Sequence, residues 1–411
     1  MTDSEFNRRS VGAAIAAWMG FFVGPNAVLS STQGMFMVPM AETFGLSRTM
    51  ISVVLLIAPL GVTLCLPAAG RAMDRFGLRN VLLPGLILFG LLHMALGRVQ
   101  SLWMLVLLMC LTSITAAMHS SVGYAKLIAQ WFDRRRGTVL GLAVALGSGV
   151  GSALFPQLTQ LMITRYTWRG AYVALGTVVL VLGVPVMVWL LREPAAPLAV
   201  RQSSTPDAGK PGATLGEALR SLTFWLIFFA ILLTMTALLG TVLHAYPMLT
   251  ERGFSGAVAT TAISSIFIGS IFGQLGSGLL VDRWESPRAA LPFFAIALIG
   301  VLVVHSATGN GTLLAGAVLL GAAIGAENGL AAYLTSRYFG LRAYGAIFGW
   351  VFAAACFGVA AGLIMMGAAH DITGNYAPMR LVFASFVGLS ILSIALLGPY
   401  VYKSARPEAV V

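Results

Sequence analysis

The stretch GRAMDRFGLR, residues 70–79, has a counterpart in GLLVDRW, residues 278–284. The glycine, aspartate, arginine and aromatic residue of the first copy each recur 208 residues later. A second pair of segments, WFDRR at 131–135 and YFGLR at 338–342, is related by a shift of 207 residues. The chain therefore contains an internal repeat, which predicts two halves of similar structure.

The composition indicates a membrane protein. Of the 411 residues, 58% are hydrophobic and only 9% are charged, and the mean hydropathy is +0.89. A helix needs about 20 apolar residues to cross the ~30 Å hydrocarbon core of a bilayer. The sequence contains twelve such runs, near 11–40, 49–69, 79–97, 103–131, 138–163, 171–191, 222–248, 257–280, 289–307, 311–337, 344–368 and 380–401.

One long polar segment separates six of these runs from the other six. It reads REPAAPLAVRQSSTPDAGKPGATLGEA, residues 192–218, and its proline, glycine and serine content is typical of a linker. We therefore predict an all-α membrane protein with an N-terminal six-helix bundle over residues 1–192, a cytoplasmic linker over 193–220 and a C-terminal six-helix bundle over 221–411. A repeat of this kind is typical of transporters that bind their substrate near the bilayer midplane.

The net charge of +11 reports membrane topology. With a cytoplasmic N-terminus, eighteen cations fall on the cytoplasmic side and six on the opposite side. This bias follows the positive-inside rule and predicts that both termini are cytoplasmic. The cations are thus explained by the membrane, and no nucleic-acid partner is predicted.

The repeated segments resemble a known family. Residues 70–79 are similar to the signature between helices 2 and 3 of the major facilitator superfamily. Three segments resemble its monocarboxylate and oxalate/formate branch, namely GMFMVPMAETFGLSRTMIS (34–52), WFDRRRGTVLGLAVALGSGVG (131–151) and ITGNY (372–376). The resemblance implies two pseudo-symmetric bundles and transport by alternating access. Together with the short termini it predicts the inner membrane of a bacterium, and nothing in the sequence requires more than a monomer.

No cofactor, metal or enzymatic chemistry is predicted. The three cysteines lie singly in apolar segments without metal-ligand spacing, and no glycine-rich phosphate loop followed by lysine is present. A nucleophile with a matching base is also absent from the sequence pattern.

Two charged residues lie well inside apolar runs, Lys126 in the fourth run (103–131) and Glu327 in the tenth (311–337). A charge at the bilayer centre costs at least about 2.5–3.5 kcal/mol, so such residues usually serve a function. Counted from Trp131 and Tyr338 as interfacial anchors, Lys126 lies roughly 8 Å deep and Glu327 roughly 16 Å deep. Lys126 either faces a cavity or snorkels to the headgroups; Glu327 either carries a proton or is a packed, protonated acid.

The remaining site hypotheses combine the residues with the resemblance. His119 shares a helical face with Lys126, whereas Tyr124, a cavity residue by resemblance to the branch, is rotated from Lys126 by about 160°. Where the branch resemblance implies an arginine in the eighth apolar run (257–280), this chain has Gln274, a neutral residue able to form a hydrogen bond with a carboxylate. Asn26 and Asn328 are further neutral contacts in the predicted site.

The repeated loops are candidates for a cytoplasmic gate. Asp74 with Arg71, Arg75 and Arg79, and Asp282 with Arg283, can form charge-assisted latches. The alternative is that these charges only set topology.

The leading hypothesis is a secondary transporter of a small, monocarboxylate-like organic anion, driven by protons. Lys126 would bind the anion, and Glu327 would carry the coupling proton. The alternatives are export of neutral or amphipathic metabolites or drugs, favoured by Gln274, and a membrane ligand sensor that does not transport.

Overall fold

The chain is described by a computed structural model that covers residues 7–132, 135–194, 212–283, 286–340 and 342–402. Within these ranges the structure does not describe the side chains of Arg136, Val281, Asp282 and Asn328. The described residues form helices joined by short turns, and their one β-bridge pairs Gly212 with Gly340. Helices are expected here because in lipid every backbone donor and acceptor must be paired inside its own segment.

The described residues of the first half form nine α-helices. They are α1 (Arg8–Phe22), α2 (Gln33–Phe44), α3 (Arg48–Phe76), α4 (Leu78–Leu96), α5 (Leu102–Met118), α6 (Ser121–Trp131), α7 (Arg136–Ala143), α8 (Val150–Val178) and α9 (Val184–Leu190). Three π-helical turns interrupt them, at Asn26–Ser30, Val144–Gly149 and Val179–Gly183.

In the second half, the residues that the structure describes form eight α-helices and one 3₁₀ turn, Pro287–Ala290. The helices are α10 (Leu215–Arg220), α11 (Leu222–Leu243), α12 (Ala245–Glu251), α13 (Gly256–Arg283), α14 (Leu291–Ser306), α15 (Asn310–Phe339), α16 (Tyr344–Thr373) and α17 (Ala377–Ala395).

Eleven helical segments of the described chain are long and apolar enough to cross a membrane. One of them, Gly137–Leu190, has 54 residues and would extend about 80 Å, well over twice the ~30 Å core. Thr167 breaks it, with φ 72° and ψ 173°, between the predicted runs 138–163 and 171–191. With this segment counted as two, the eleven segments correspond to the twelve predicted crossings, and the all-α membrane fold is confirmed.

Helix ends follow local capping chemistry. The Ser47 side chain accepts a hydrogen bond from the backbone N–H of Met50 at 3.2 Å and starts α3. Gly77, with φ 86°, ends it in a conformation that residues with a side chain rarely adopt. The stretch quoted at the outset therefore occupies the last two turns of α3 and the start of α4.

The predicted fourth crossing, residues 103–131, is interrupted. Helix α5 ends at Met118, and α6 begins at Ser121. His119 and Ser120 between them have non-helical backbone angles. This break and the two π-helical turns at Asn26–Ser30 and Val144–Gly149 place irregular backbone inside apolar segments, where it is tolerated when it is buried in protein or lines a cavity.

The chain forms two compact units. Unit 1 comprises Met1–Ser204, Val242–Ile268 and His370–Gly374; unit 2 comprises Thr205–Thr241, Gly269–Ala369 and Asn375–Val411. Unit 1 thus includes α12 and segments adjoining it from the second half. The predicted bundle boundaries at 192 and 221 stay a prediction, and residues 195–211 of the predicted linker lie outside the described residues.

Each unit has its own apolar core. In unit 1 the largest fully buried side chains include Tyr124, Phe36 and Phe89. In unit 2 the buried core centres on aromatic side chains of α11, α14 and α15, among them Phe224 and Phe294.

Candidate functional site

A cavity of about 230 Å³ lies within unit 1. Its walls come from α1, the π-helical turn Asn26–Ser30, α3, the break between α5 and α6, and the π-helical turn Val144–Gly149. The Asn26 side-chain amide donates a hydrogen bond to Ser148 Oγ at 2.9 Å and so joins the two π-helical turns. Such turns occur frequently at functional sites, and here they meet at the cavity wall.

Tyr124 forms an aromatic part of this wall together with Phe21. The two ring centroids are 5.6 Å apart, and Tyr124 is completely buried. Its ring lies directly on Gly20, so that a Cβ atom at position 20 would overlap the ring carbons. Gly20 is therefore required for the position of Tyr124.

His119 lines the cavity at the helix break. Its Nδ1 lies 2.9 Å from the carbonyl oxygen of Thr115, and its ring packs on Phe89 with centroids 4.5 Å apart. Because a carbonyl oxygen only accepts, Nδ1 carries the hydrogen. Nε2 of the neutral ring is then an acceptor.

Three polar atoms of the lining residues are buried and lack a hydrogen-bond partner among the described residues. They are His119 Nε2, Ser120 Oγ and Tyr124 Oη. A buried polar group left unpaired costs about 1–3 kcal/mol. Each of the three is therefore a buried polar group whose partner the described residues do not supply.

The residues lining this cavity carry no charged side chain. Lys126, predicted as its cation, is absent from the lining. Its ammonium group forms an ion pair with the carboxylate of Asp74, and the two side chains are 36% and 65% exposed. The expected common face of His119 and Lys126 assumed an unbroken helix, whereas the chain breaks at His119 and Ser120.

Two other residues of the predicted cytoplasmic gate, Arg79 and Arg75, have partners in the structure. The Arg79 guanidinium donates to the carbonyl oxygens of Val188 and Leu191 at 3.0 and 3.2 Å, and its backbone N–H donates to Glu193 at 2.9 Å. Arg75 lies over the ring of Phe76, at 5.3 Å from its centroid. Arg79 therefore caps the end of α9.

The remaining residues of the predicted gate are Arg71, Arg283 and Asp282. Arg71 and Arg283 are exposed. The side chain of Asp282 lies outside the described residues.

Glu327 lies in a separate place, within unit 2. It is 4% exposed, and both carboxylate oxygens lack a partner among the described residues. Glu327 borders a void of about 10 Å³ together with Phe293, Phe294 and Thr234, whose hydroxyl is also unpaired.

Gln274 and Asn328 are the two other polar site residues predicted in the second half of the chain. Gln274 is an exposed residue of α13. Asn328 belongs to α15, but its side chain lies outside the description.

A cluster of charges surrounds the Arg48 end of α3, all within unit 1. Glu251 binds the Arg48 guanidinium at 3.0 Å and His370 Nε2 at 3.3 Å. Asp371 accepts hydrogen bonds from the backbone N–H groups of Arg48 and Thr49 at 2.9 and 2.8 Å, so it binds the N-terminus of α3. We call Arg48, Glu251, His370 and Asp371 the Arg48 cluster.

Sequence reasoning missed several of these residues. Ser120 and Ser148 are polar residues within apolar runs, a signal that was available. The close contact of Gly20 with Tyr124 and the Arg48 cluster join positions remote in sequence, so no local pattern indicates them. The roles assigned to Asn26, His119, Tyr124, Lys126, Gln274 and Glu327 stay predictions.

The chain is similar to several curated transporters. It is 27% identical to monocarboxylate transporter 13 of Bos taurus, over 78% of this chain and 74% of that one. It is 26% identical to the gallate transporter of Pseudomonas putida, over 79% and 81%. It is 23% identical to the 4-hydroxybenzoate transporter PcaK of Pseudomonas putida, over 71% of each chain.

Solved structures share the fold. A bacterial homolog of the human lysosomal transporter Spinster, in an inward-facing and unoccupied conformation, superposes with a TM-score of 0.64 at 15% identity, covering 96% of this chain and 95% of that one. The family described as Major Facilitator Superfamily matches residues 11–363 and, in a second alignment, 237–410. These matches confirm the resemblance carried by the repeated Gly-x-x-x-Asp-Arg loops, and they make the chain a multi-pass membrane transporter and not an enzyme. The chain belongs to the Major Facilitator Superfamily.

Proposed function

We propose that the protein moves a small organic anion of the monocarboxylate type across the membrane by alternating access, coupled to protons. The observation that carries this proposal is the cavity of unit 1, which combines an aromatic and aliphatic wall with the polar groups of Asn26, His119 and Tyr124. A pocket of this kind, mainly apolar with a few polar groups, is typical of small-molecule sites. The relatives named for monocarboxylates, gallate and 4-hydroxybenzoate support an organic acid as the substrate.

Glu327 is the proposed proton carrier. An acid buried within a membrane segment is a functional candidate by default. Neither carboxylate oxygen of Glu327 has a partner among the described residues, so no counter-ion or donor there holds it ionised. Gln274 and Asn328 remain proposed polar contacts from the second half of the chain.

Lys126 is the proposed attraction point for the anion. Its ammonium pairs with Asp74, and both side chains are partly exposed to solvent. Exposed ion pairs contribute about 0–1 kcal/mol, so a substrate carboxylate can compete with Asp74 for the ammonium. The Asp74 pair and the Arg48 cluster lie at opposite ends of α3, and we propose that they act as gates at those ends, together with Arg71, Arg75, Arg79, Asp282 and Arg283.

The proposal also states the membrane in which the protein lies and the side of that membrane on which its termini lie. The bias of cations toward one set of loops supports cytoplasmic termini in a bacterial inner membrane. A monomer bounded by lipid is sufficient for the function.

Export of a neutral or amphipathic compound is the second candidate. The absence of any charged side chain among the residues lining the cavity favours it. A neutral substrate would also leave the Lys126 and Asp74 pair intact.

The decisive experiment uses purified protein in liposomes that contain a pH-sensitive dye. Lactate, benzoate and 4-hydroxybenzoate, and separately neutral amphipathic compounds, are added outside. Saturable acidification of the interior by the acids supports proton-coupled anion transport. A response to neutral compounds alone contradicts the proposal and supports the second candidate.

Glu327→Gln tests the coupling within the same assay. We expect the variant to exchange labelled acid across the membrane while the acidification disappears, because glutamine keeps the size of the side chain but binds no exchangeable proton. Glu217→Gln is the matched control, since Glu217 is an exposed residue that caps α10. Unchanged acidification in Glu327→Gln removes this residue from the coupling mechanism.

A further inference from the structure

An open pocket of about 680 Å³ lies in unit 1, between the start of α1 and the end of α9. Arg8 and Arg9 line it from α1, Arg192 lines it from the residues that follow α9, and Trp189 is the aromatic part of its wall. None of the described residues that line it is acidic. The pocket therefore collects three positive charges, and it shares no residue with the cavity of the proposed substrate site or with the proposed gates.

The three guanidinium groups have no partner of opposite charge among the described residues. Glu193, the acid next to Arg192, instead accepts a hydrogen bond from the backbone N–H of Arg79 at 2.9 Å. The carbonyl oxygens at the end of α9 are also occupied, because the Arg79 guanidinium donates to Val188 and Leu191. Neither Glu193 nor the carbonyl end of α9 thus accounts for the three arginines.

The pocket lies at a membrane boundary. Both α1 and α9 belong to segments that are long and apolar enough to cross a membrane, and the pocket is at the start of one and the end of the other. Trp189 is 76% exposed, and the indole N–H of Trp131 donates to the carbonyl oxygen of Arg192 at 2.9 Å. Tryptophan is enriched where the hydrocarbon core meets the lipid headgroups. The three arginines are therefore at headgroup depth.

Exposed apolar side chains continue from the pocket along the helices. Val11 and Ile15 are exposed and four residues apart, so they lie on one face of α1, and Val188 is exposed near the end of α9. The acyl chains of a lipid can lie against these side chains while its headgroup occupies the pocket. A soluble anion would contact the arginines alone, so the continuous apolar surface favours a lipid.

We propose that this pocket binds the headgroup of an anionic phospholipid through Arg8, Arg9 and Arg192. A guanidinium group can donate two parallel hydrogen bonds to the oxygens of one phosphate group. Basic pockets between membrane helices bind phosphate headgroups in this way. The bound lipid compensates the three charges that the described residues leave without a partner.

The test measures lipid binding to the full-length protein by native mass spectrometry. Delipidated protein in detergent is titrated with dioleoyl phosphatidylglycerol and, separately, with dioleoyl phosphatidylcholine, whose headgroup has a phosphate but no net charge. We expect the first phosphatidylglycerol to bind about tenfold or more tightly than phosphatidylcholine, because each arginine near an anionic headgroup adds to the affinity. In the variant that combines Arg8→Gln, Arg9→Gln and Arg192→Gln, this ratio should fall close to one.

Three other arginines provide the matched control. Arg98, Arg165 and Arg380 are exposed and lie outside the pocket. The variant that combines Arg98→Gln, Arg165→Gln and Arg380→Gln loses the same charge and should retain the ratio of the wild type.

A variant with unchanged charge covers the case in which the loss of three cations disturbs membrane insertion. Arg8→Lys, Arg9→Lys and Arg192→Lys together keep every positive charge. Lysine lacks the planar fork that binds a phosphate through two hydrogen bonds, so the affinity for phosphatidylglycerol should fall severalfold.

Three results would overturn the lipid site. The first is a ratio that is kept when the pocket arginines become glutamine, and the second is an equal fall in the matched control, which would mean a general effect of charge. The third is displacement of phosphatidylglycerol by an equal concentration of inorganic phosphate, because the pocket would then take a soluble anion. If the glutamine variant does not insert, the lysine variant decides, and an unaltered affinity there also overturns the site.

Discussion

The Arg48 cluster predicts a measurable change at one end of α3. In Asp371→Ala, the backbone N–H groups of Arg48 and Thr49 lose their acceptor. Each hydrogen bond to a carboxylate contributes about 1.5–3 kcal/mol, but Asp371 is exposed, so water replaces part of this. About 1–3 kcal/mol in total then remains, which corresponds to a shift of roughly 5- to 150-fold in the ratio of open to closed forms at this end.

The assay measures access to a buried residue near the cluster. Ser52 is completely buried and its hydroxyl lies 3.3 Å from His244. Ser52→Cys is introduced after Cys65, Cys110 and Cys356 have been replaced by serine. The rate of reaction with a membrane-impermeant maleimide is then compared with and without Asp371→Ala. We expect an increase of roughly 5- to 150-fold, since only the open form admits the reagent.

Two further variants make the result specific. Asp371→Asn keeps one carbonyl acceptor but loses the charge, so its rate should lie between those of the parent and Asp371→Ala. Glu42→Gln changes an exposed acid near the end of α2 and should leave the rate unaltered. A rate for Asp371→Ala within twofold of the parent, or an equal increase in Glu42→Gln, would refute the gating role of Asp371.

Three other changes test the structure. Gly20→Ala places a methyl group on the ring of Tyr124 and should destabilise the protein by about 1–3 kcal/mol, seen as a lower Tm together with weaker acid binding; an unchanged Tm contradicts the contact. Thr167→Gly should raise the Tm, because the backbone angles φ 72° and ψ 173° cost about 1–3 kcal/mol for a residue with a side chain. Thr177→Gly, in the regular part of α8, should lower the Tm. Lys126→Ala should reduce the apparent affinity for acids and Asp74→Asn should increase it, as measured by uptake; a loss of affinity in both variants would mean that the pair has only a structural role.

Much of the fold was predictable because membrane insertion is governed by local composition. Long apolar runs must form helices in lipid, and their number and approximate positions follow from the sequence. The repeated Gly-x-x-x-Asp-Arg segments identified the superfamily without a structure. The break at His119 and Ser120 was not predicted, since an apolar run gives little sign of where backbone hydrogen bonding changes within it.

The candidate site was predicted only in part. Isolated charges were the strongest signals in the sequence, and they directed attention to Lys126 and Glu327. The structure pairs Lys126 with Asp74 and encloses Glu327 among Phe293, Phe294 and Thr234. Charge is visible in a sequence, whereas the partner of a charge depends on contacts between helices.

The sequence by itself determined that the chain is a helical membrane protein with a repeated architecture. The length of an apolar run is a local property, and a repeated motif can be recognised without knowing any contact between helices. Only the tertiary structure decided which polar groups are left unpaired. His119, Ser120 and Tyr124 line one cavity because a helix breaks between α5 and α6 and because Gly20 admits the tyrosine ring. Hydrogen-bond satisfaction is a property of the whole packing around an atom, so the need of these three groups for a partner emerges only when the helices are assembled.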